Sequence, residues 1–213
     1  MWYNENMNKI DYNKQMFEEI KTFNNKPKLL LHSCCAPCSS SVLLRLINYF
    51  DITIFFYNPN IDTSEEFEKR QNEEKKLIEE LNKNINLSKI KIITTKHQSE
   101  DYQKVVMGFE KEKEGGARCD ICFKLRLEKT ASFAQKNGFD YFSTTLTVSP
   151  HKNAEKLNNI GLEMSKKYNI KFLVSDFKKQ DGYKQSIELS KKYGLYRQNY
   201  CGCKFSKNNK CED

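Results

Sequence analysis

Five short apolar and β-branched runs, each separated from the next by a stretch with helical spacing, constrain this chain more than any other feature. They are KLLLHS from Lys28, ITIFFYNPN from Ile52, KIITT near residue 91, YFSTTL near 141 and IKFLVS near 170. Between the first two, SSVLLRLINYF has helical spacing. After the second, Ser64 opens a long charged helix with Glu65, Glu66 and Glu68 in its first turn, where the helix dipole favours anions. Such alternation implies a parallel sheet with right-handed crossovers, an α/β Rossmann-like domain with helices on both faces. The 213 residues suffice for one well-buried domain. We read residues 1–27 as an N-terminal extension with a short helix around Lys14–Phe23, and 28–213 as a single α/β domain.

Ligands of such sheets sit beyond the carboxyl ends of the strands. Cys34 lies just past the first strand, YNPNI follows the second, and Thr147-Val148-Ser149-Pro150-His151 follows the fourth, so three strand ends face one crevice. The chain lacks G-x-G-x-x-G and G-x-x-x-x-G-K-[ST], so a nucleotide cofactor cradled in those ways is not expected.

Eight cysteines occur, seven of them in three clusters: C-C-x-x-C at Cys34, Cys35 and Cys38, C-x-x-C at Cys119 and Cys122, and C-x-C at Cys201 and Cys203. Cys211 stands alone and is set aside as incidental. In GGARCDICFKLRLEKTA the apolar spacing puts Cys119 and Cys122 on one face of a helix's first turn, where unpaired N–H groups favour thiolate. In YRQNYCGCKFS, Gly202 lets the backbone bend between two sulfurs that point the same way. A single C-x-x-C reads equally as a redox dithiol, half a zinc site or iron–sulfur ligands. Seven thiols are too many for one zinc and too few for two all-cysteine zinc sites. A [4Fe–4S] cluster takes up to four, leaving a second metal or a redox pair to account for the rest.

Net charge is +8, which suits a polyanion such as RNA. The 31 lysines, 5 arginines and 21 asparagines look more like base composition than a tuned surface. The scarce arginines say more, because Arg118, Arg126 and Arg197 all stand beside cysteine motifs, where a planar donor fork suits phosphate or a negatively charged cluster. Among the histidines, His32 reads as structural and His97 has no supporting context. His151, in S-P-H-K-N, is the candidate for proton transfer. No run approaches ~20 consecutive apolar residues, and the polar start MWYNENMNKIDYNKQMFEEI is no signal peptide, so a cytoplasmic location is expected.

With HSCCAPCS, FYNPNI and the later Arg70, GGARCDICFKLRLEKTA, TTLTVSPHKN and GYKQSIELSKKYGLYRQNYCGC in one order from about residue 29 to 205, the chain resembles the cobalamin-independent epoxyqueuosine reductases, the QueH family. The resemblance implies a fold similar to the nucleotide-binding-like α/β domains that include PP-loop ATPases, with cysteines where those have a phosphate loop. It implies reduction of the epoxide of epoxyqueuosine to queuosine at the wobble base of tRNAs with GUN-type anticodons, the last step of that modification. It implies a [4Fe–4S] cluster and an additional iron or zinc ion, held by Cys34, Cys35, Cys38, Cys119, Cys122, Cys201 and Cys203 in a division left open. His151, Asp120 and Tyr200 are the candidate acids for the departing oxygen, and Ser149, Arg118 and Arg197 the candidate substrate contacts. Tyr57, Tyr196 and Tyr200 are candidates to stack on an extruded base, and the lysine-rich stretch 164–171 to meet phosphates. Electrons would come from an external low-potential donor. Three other readings compete: a zinc-stabilised RNA-binding module without catalysis, a tRNA-thiolating enzyme, and a thiol–disulfide exchanger.

Overall fold

Leu29, Leu30 and Leu31 are all fully buried, and they face opposite ways: Leu29 and Leu31 join one apolar layer, Leu30 the other. That is the period of two expected of a strand covered on both sides. The computed structural model describes residues 10–83 and 89–207; Cys211 lies outside them. Strand β1, Lys28–His32, pairs in parallel with β2, Asp51–Phe56, on one side and with β4, Tyr141–Thr144, on the other. β3, Lys91–Thr94, extends the sheet beyond β2, and β5, Lys171–Phe172, beyond β4. The order β3-β2-β1-β4-β5 reverses direction at β1. A crevice therefore opens between the carboxyl ends of β1 and β4.

The expected α/β architecture and all five strands are present. β5 is shorter than IKFLVS: Leu173 N–H still donates to Phe142 C=O at 3.0 Å, but Leu173 C=O accepts from Ser143 Oγ at 2.9 Å, and the Asn158 side chain holds Ser175, accepting from its N–H and donating to its C=O at 2.9 Å each. The extension 1–27 contributes α1, Tyr12–Lys21, capped by Asp11, whose carboxylate accepts from Lys14 N–H at 3.0 Å. Met16 and Ile20 of α1 are part of the core beside Leu29 and Leu31. The same layer takes residues of α2, Ala36–Leu46, and α3, Ser64–Lys83. The opposite face carries α5, Ala117–Lys136, and α6, Ala154–Tyr168. Between β3 and α5 comes α4, Ser99–Val106. The last helix, α7, Gly182–Lys192, lies against α2 and buries the small residues Gly182, Ser186 and Ser190.

Two local findings position the site. α2 begins at Ala36, inside the first cysteine motif, because Pro37 falls in the first turn, where its missing N–H has no intrahelical partner to lose. The charged helix α3 buries two of its charges, Arg70 and Glu74, at 1% and 0% exposure. Among the described residues no helix is long and apolar enough to cross a membrane.

Candidate metal centre and substrate cavity

Cys34 and Cys35 end the turn after β1, and Cys38 sits in the first turn of α2. Their three sulfurs lie within 4.8 Å of one another, with Cys34 and Cys35 Sγ 3.7 Å apart. Hydrogen bonds from Cys34 and Cys38 hold the Cys35 thiol well below its ordinary range, and Arg70 adds to this. The same contacts push Cys34 and Cys38 up. Gln198 Nε2 donates to Cys35 Sγ at 2.8 Å. His32, beneath, is spent structurally: its ring nitrogens reach Thr144 Oγ1 at 3.0 Å and Tyr57 C=O at 3.1 Å. Burial, then Arg126, brings its pKa down to about 3, so it is neutral. His97 is structural too, with Nε2 2.7 Å from the Ile61 carbonyl oxygen.

Cys119, Cys122, Cys201 and Cys203 line a cavity of about 90 Å³ at the start of α5. That exceeds the ~10–15 Å³ one water occupies on this measure, so the space admits a group of several atoms. Burial pushes Cys122 up to about 12 and raises Cys119, although Gly115 N–H donates to Cys119 Sγ at 3.2 Å. At Cys119 and Cys122 burial thus favours the thiol until a metal cation takes the proton's place. The C-G-C loop is pinned by Arg70, whose Nη1 donates to Cys201 C=O at 3.0 Å and whose Nε pairs with Glu66 at 2.7 Å. Gly202 has φ +120°, and a Cβ there would stand 3.1 Å from Arg70 Nη1.

A larger cavity of about 300 Å³ adjoins the first and shares Arg126, His151, Lys152, Glu114 and Cys201 with it. Cys34 and Cys38 reach its wall, so both sulfur groups face one space. Of the expected site residues, His151, Tyr200, Ser149 and Arg197 line it. Asp120 and Arg118 line neither cavity. Asp120 is bound through both carboxylate oxygens to Lys156 Nζ, at 3.1 and 2.8 Å. Buried Arg118 holds the loop before α5, with Nη1 donating to the carbonyls of Phe109, Glu110 and Glu112. Of the candidate stacking tyrosines, Tyr57 is buried with its hydroxyl on Asp101, and Tyr196 bonds Glu66. Lys167, in the lysine-rich stretch, is paired with Glu128.

Sequence reasoning passed over Lys152, Gln198 and Tyr183, all of which line the larger cavity. Burial works against the Lys152 ammonium, yet Cys201 and Cys34 hold it above the ordinary lysine range. Arg126 was visible only as an arginine beside a motif. It is 1% exposed, lines both cavities and leaves Nη2 without a hydrogen-bond partner.

Known proteins carry the same pattern over nearly the whole chain. The family profile described as epoxyqueuosine reductase QueH matches residues 29–209. The epoxyqueuosine reductase QueH of Streptococcus pyogenes serotype M1 is 40% identical over 207 residues, covering 94% of this chain and 81% of that protein. That of Staphylococcus epidermidis is 41% identical over 203 residues, 93% of this chain and 85% of the relative. That of Thermotoga maritima is 39% identical over 181 residues, 84% and 89% respectively. All three cysteine motifs and the residues around both cavities fall inside the matched span, and this chain belongs to the epoxyqueuosine reductase QueH family.

Proposed function

We propose that this protein is an oxidoreductase that reduces the epoxide of epoxyqueuosine to queuosine at the wobble base of tRNAs with GUN-type anticodons. The observation that carries the reading is one buried arginine facing Cys34, Cys119, Cys122 and Cys201, thiols from all three motifs, beside a cavity of about 300 Å³. That volume is at the small end of ligand sites and suits a single nucleoside. A base in an anticodon loop reaches such a cavity only by leaving its stack.

The donor set fits iron. Seven cysteine sulfurs, a small cavity among four of them, and two cations facing them suit an anionic thiolate centre and not a neutral pocket. Cys34, Cys35, Cys38, Cys119, Cys122, Cys201 and Cys203 would together hold a [4Fe–4S] cluster and an additional iron or zinc ion. Such a centre supplies single electrons from an external low-potential donor and a Lewis acid for the C–O bond.

The reaction takes two electrons and two protons, and yields an alkene and water. The chain's own residues bind, orient and protonate. Leu146 and Val148 give the larger cavity a dry wall, and Ser149, Arg197 and Tyr183 border it. His151 is exposed yet lines both cavities, so its imidazole can deliver a proton to the departing oxygen and be recharged from solvent. The Lys152 ammonium offsets negative charge developing on that oxygen. Tyr200, held above the ordinary tyrosine range by burial and then Glu66, keeps its proton as a hydrogen-bond donor.

Protein purified without oxygen should be brown, with about four or more irons and matching sulfide. With a chemical low-potential reductant it should convert epoxyqueuosine-containing tRNA. Replacing Cys34, Cys122 or Cys203 with serine should lower iron per chain, and Cys211→Ser should not. A colourless protein that carries only zinc and resists iron–sulfur reconstitution would overturn the proposal in favour of an RNA-binding zinc module.

A further inference from the structure

Arg126 stands within electrostatic reach of Cys122, Cys201, Cys34 and Cys119, so it faces all three cysteine motifs at once. It lies one turn beyond Cys122 on α5, with Nε 3.4 Å from the Cys122 carbonyl oxygen and its guanidinium 5.7 Å from the Phe123 ring centre. No carboxylate pairs with it among the described residues, and Nη2 is buried without a partner. A guanidinium taken out of water needs a compensating anion, and here the surrounding donors are sulfurs. The potential of thiolate-held iron follows its net charge, the hydrogen bonds to its sulfurs and its exposure to solvent. A buried arginine between the sulfur groups bears on all three.

We propose that Arg126 is a positioning residue that sets the reduction potential of the thiol-held iron, as one counter-charge shared by the three cysteine motifs. This rests on the iron–sulfur reading above. A fixed positive charge stabilises the reduced, more negative state. It therefore raises the potential and brings the centre within reach of its donor. The unpartnered Nη2 leaves a buried hydrogen-bond donor free.

The test uses full-length protein reconstituted without oxygen: wild type, Arg126→Lys and Arg126→Gln. Iron and sulfide are counted first, then the midpoint potential is read by spectroelectrochemical titration. Wild type without iron would sink the underlying reading, independently of Arg126. With iron present, R126Q should titrate at a more negative potential than wild type, and R126K should stay nearer to it. An R126Q that loads no iron beside an R126K that loads fully also supports the counter-charge. Fully loaded R126Q with an unshifted midpoint, R126K moving as far as R126Q, or neither variant loading would overturn it, because shape and not charge would then matter.

Discussion

Glu74→Gln should make the protein more stable at pH 8 while changing little at pH 5. Glu74 is fully buried on α3, with Oε2 accepting from Ser33 Oγ at 2.9 Å and Oε1 without a partner. Burial, only partly offset by the hydroxyls of Ser39 and Ser33, lifts its pKa from the ordinary 4.5 to about 7. The folded state therefore holds a proton that the unfolded chain releases. The stability from that proton is fully present below pH 4.5 and is lost as pH rises to 7. At ~1.4 kcal/mol per tenfold change in proton affinity, the loss is roughly 3 kcal/mol. Glutamine keeps the shape and an acceptor for Ser33 but never ionises. Melting temperatures of the metal-loaded variant and wild type, measured from pH 5 to 8, should diverge. At about 2–4 °C per kcal/mol for a chain of this size, the gap at pH 8 should approach 10 °C. Parallel curves across that range would show that Glu74 ionises freely in the folded protein and that its isolation is wrong.

Two further pairs of variants have contrasting expected outcomes. His151→Gln should lower kcat on epoxyqueuosine tRNA by roughly 10²-fold or more, whereas Asp120→Asn, at a residue lining neither cavity, should stay within a few-fold in the same assay. Gly202→Ala should destabilise the protein by about 1–3 kcal/mol through backbone strain and also lower its iron content, because the added Cβ meets Arg70. Gly138→Ala, also at positive φ but with open space around its Cβ, should strain the chain and leave iron intact, as a melting curve with an iron assay would show.

The fold was legible because its signal is local. β1 to β4 each announce themselves in four to six residues, and the alternation leaves few topologies. The convergence of Cys34, the YNPNI turn and His151 was legible from strand ends, and Asn60 and His151 do line one cavity; the C-G-C loop follows no strand and its place was not legible. Lys152 was not, since one lysine among 31 has no local mark, and only the turn after Val148 aims it at the sulfurs. Gln198 and Tyr183 were hidden for the same reason: their places depend on how the segment 182–203 packs across α2. Arg70 and Glu74 did carry a signal. They fall in step with Phe67, Leu77, Ile78 and Leu81, the buried stripe of α3, so charges stand where an amphipathic helix would place apolar residues.

The same arithmetic sorts the charges of α5. Cys119, Cys122 and Arg126 are spaced i, i+3 and i+7, which on a 3.6-residue helix is one face. That face meets the cavity. Asp120 follows Cys119 by one residue, about 100° around the axis, and arrives at Lys156 on α6. Arg118, four residues before Cys122, shares that side of the helix but is taken up by the carbonyls of Phe109, Glu110 and Glu112. Helical phase thus turns Asp120 away from the cavities that Arg126 lines, while Arg118 is kept from them by the loop it holds. Arg126 and the two cysteines share one rigid helix, whereas Cys34 and Cys201 come from the turn after β1 and the C-G-C loop. The guanidinium is therefore fixed relative to one pair of sulfurs, and the other two motifs are brought to it by the fold.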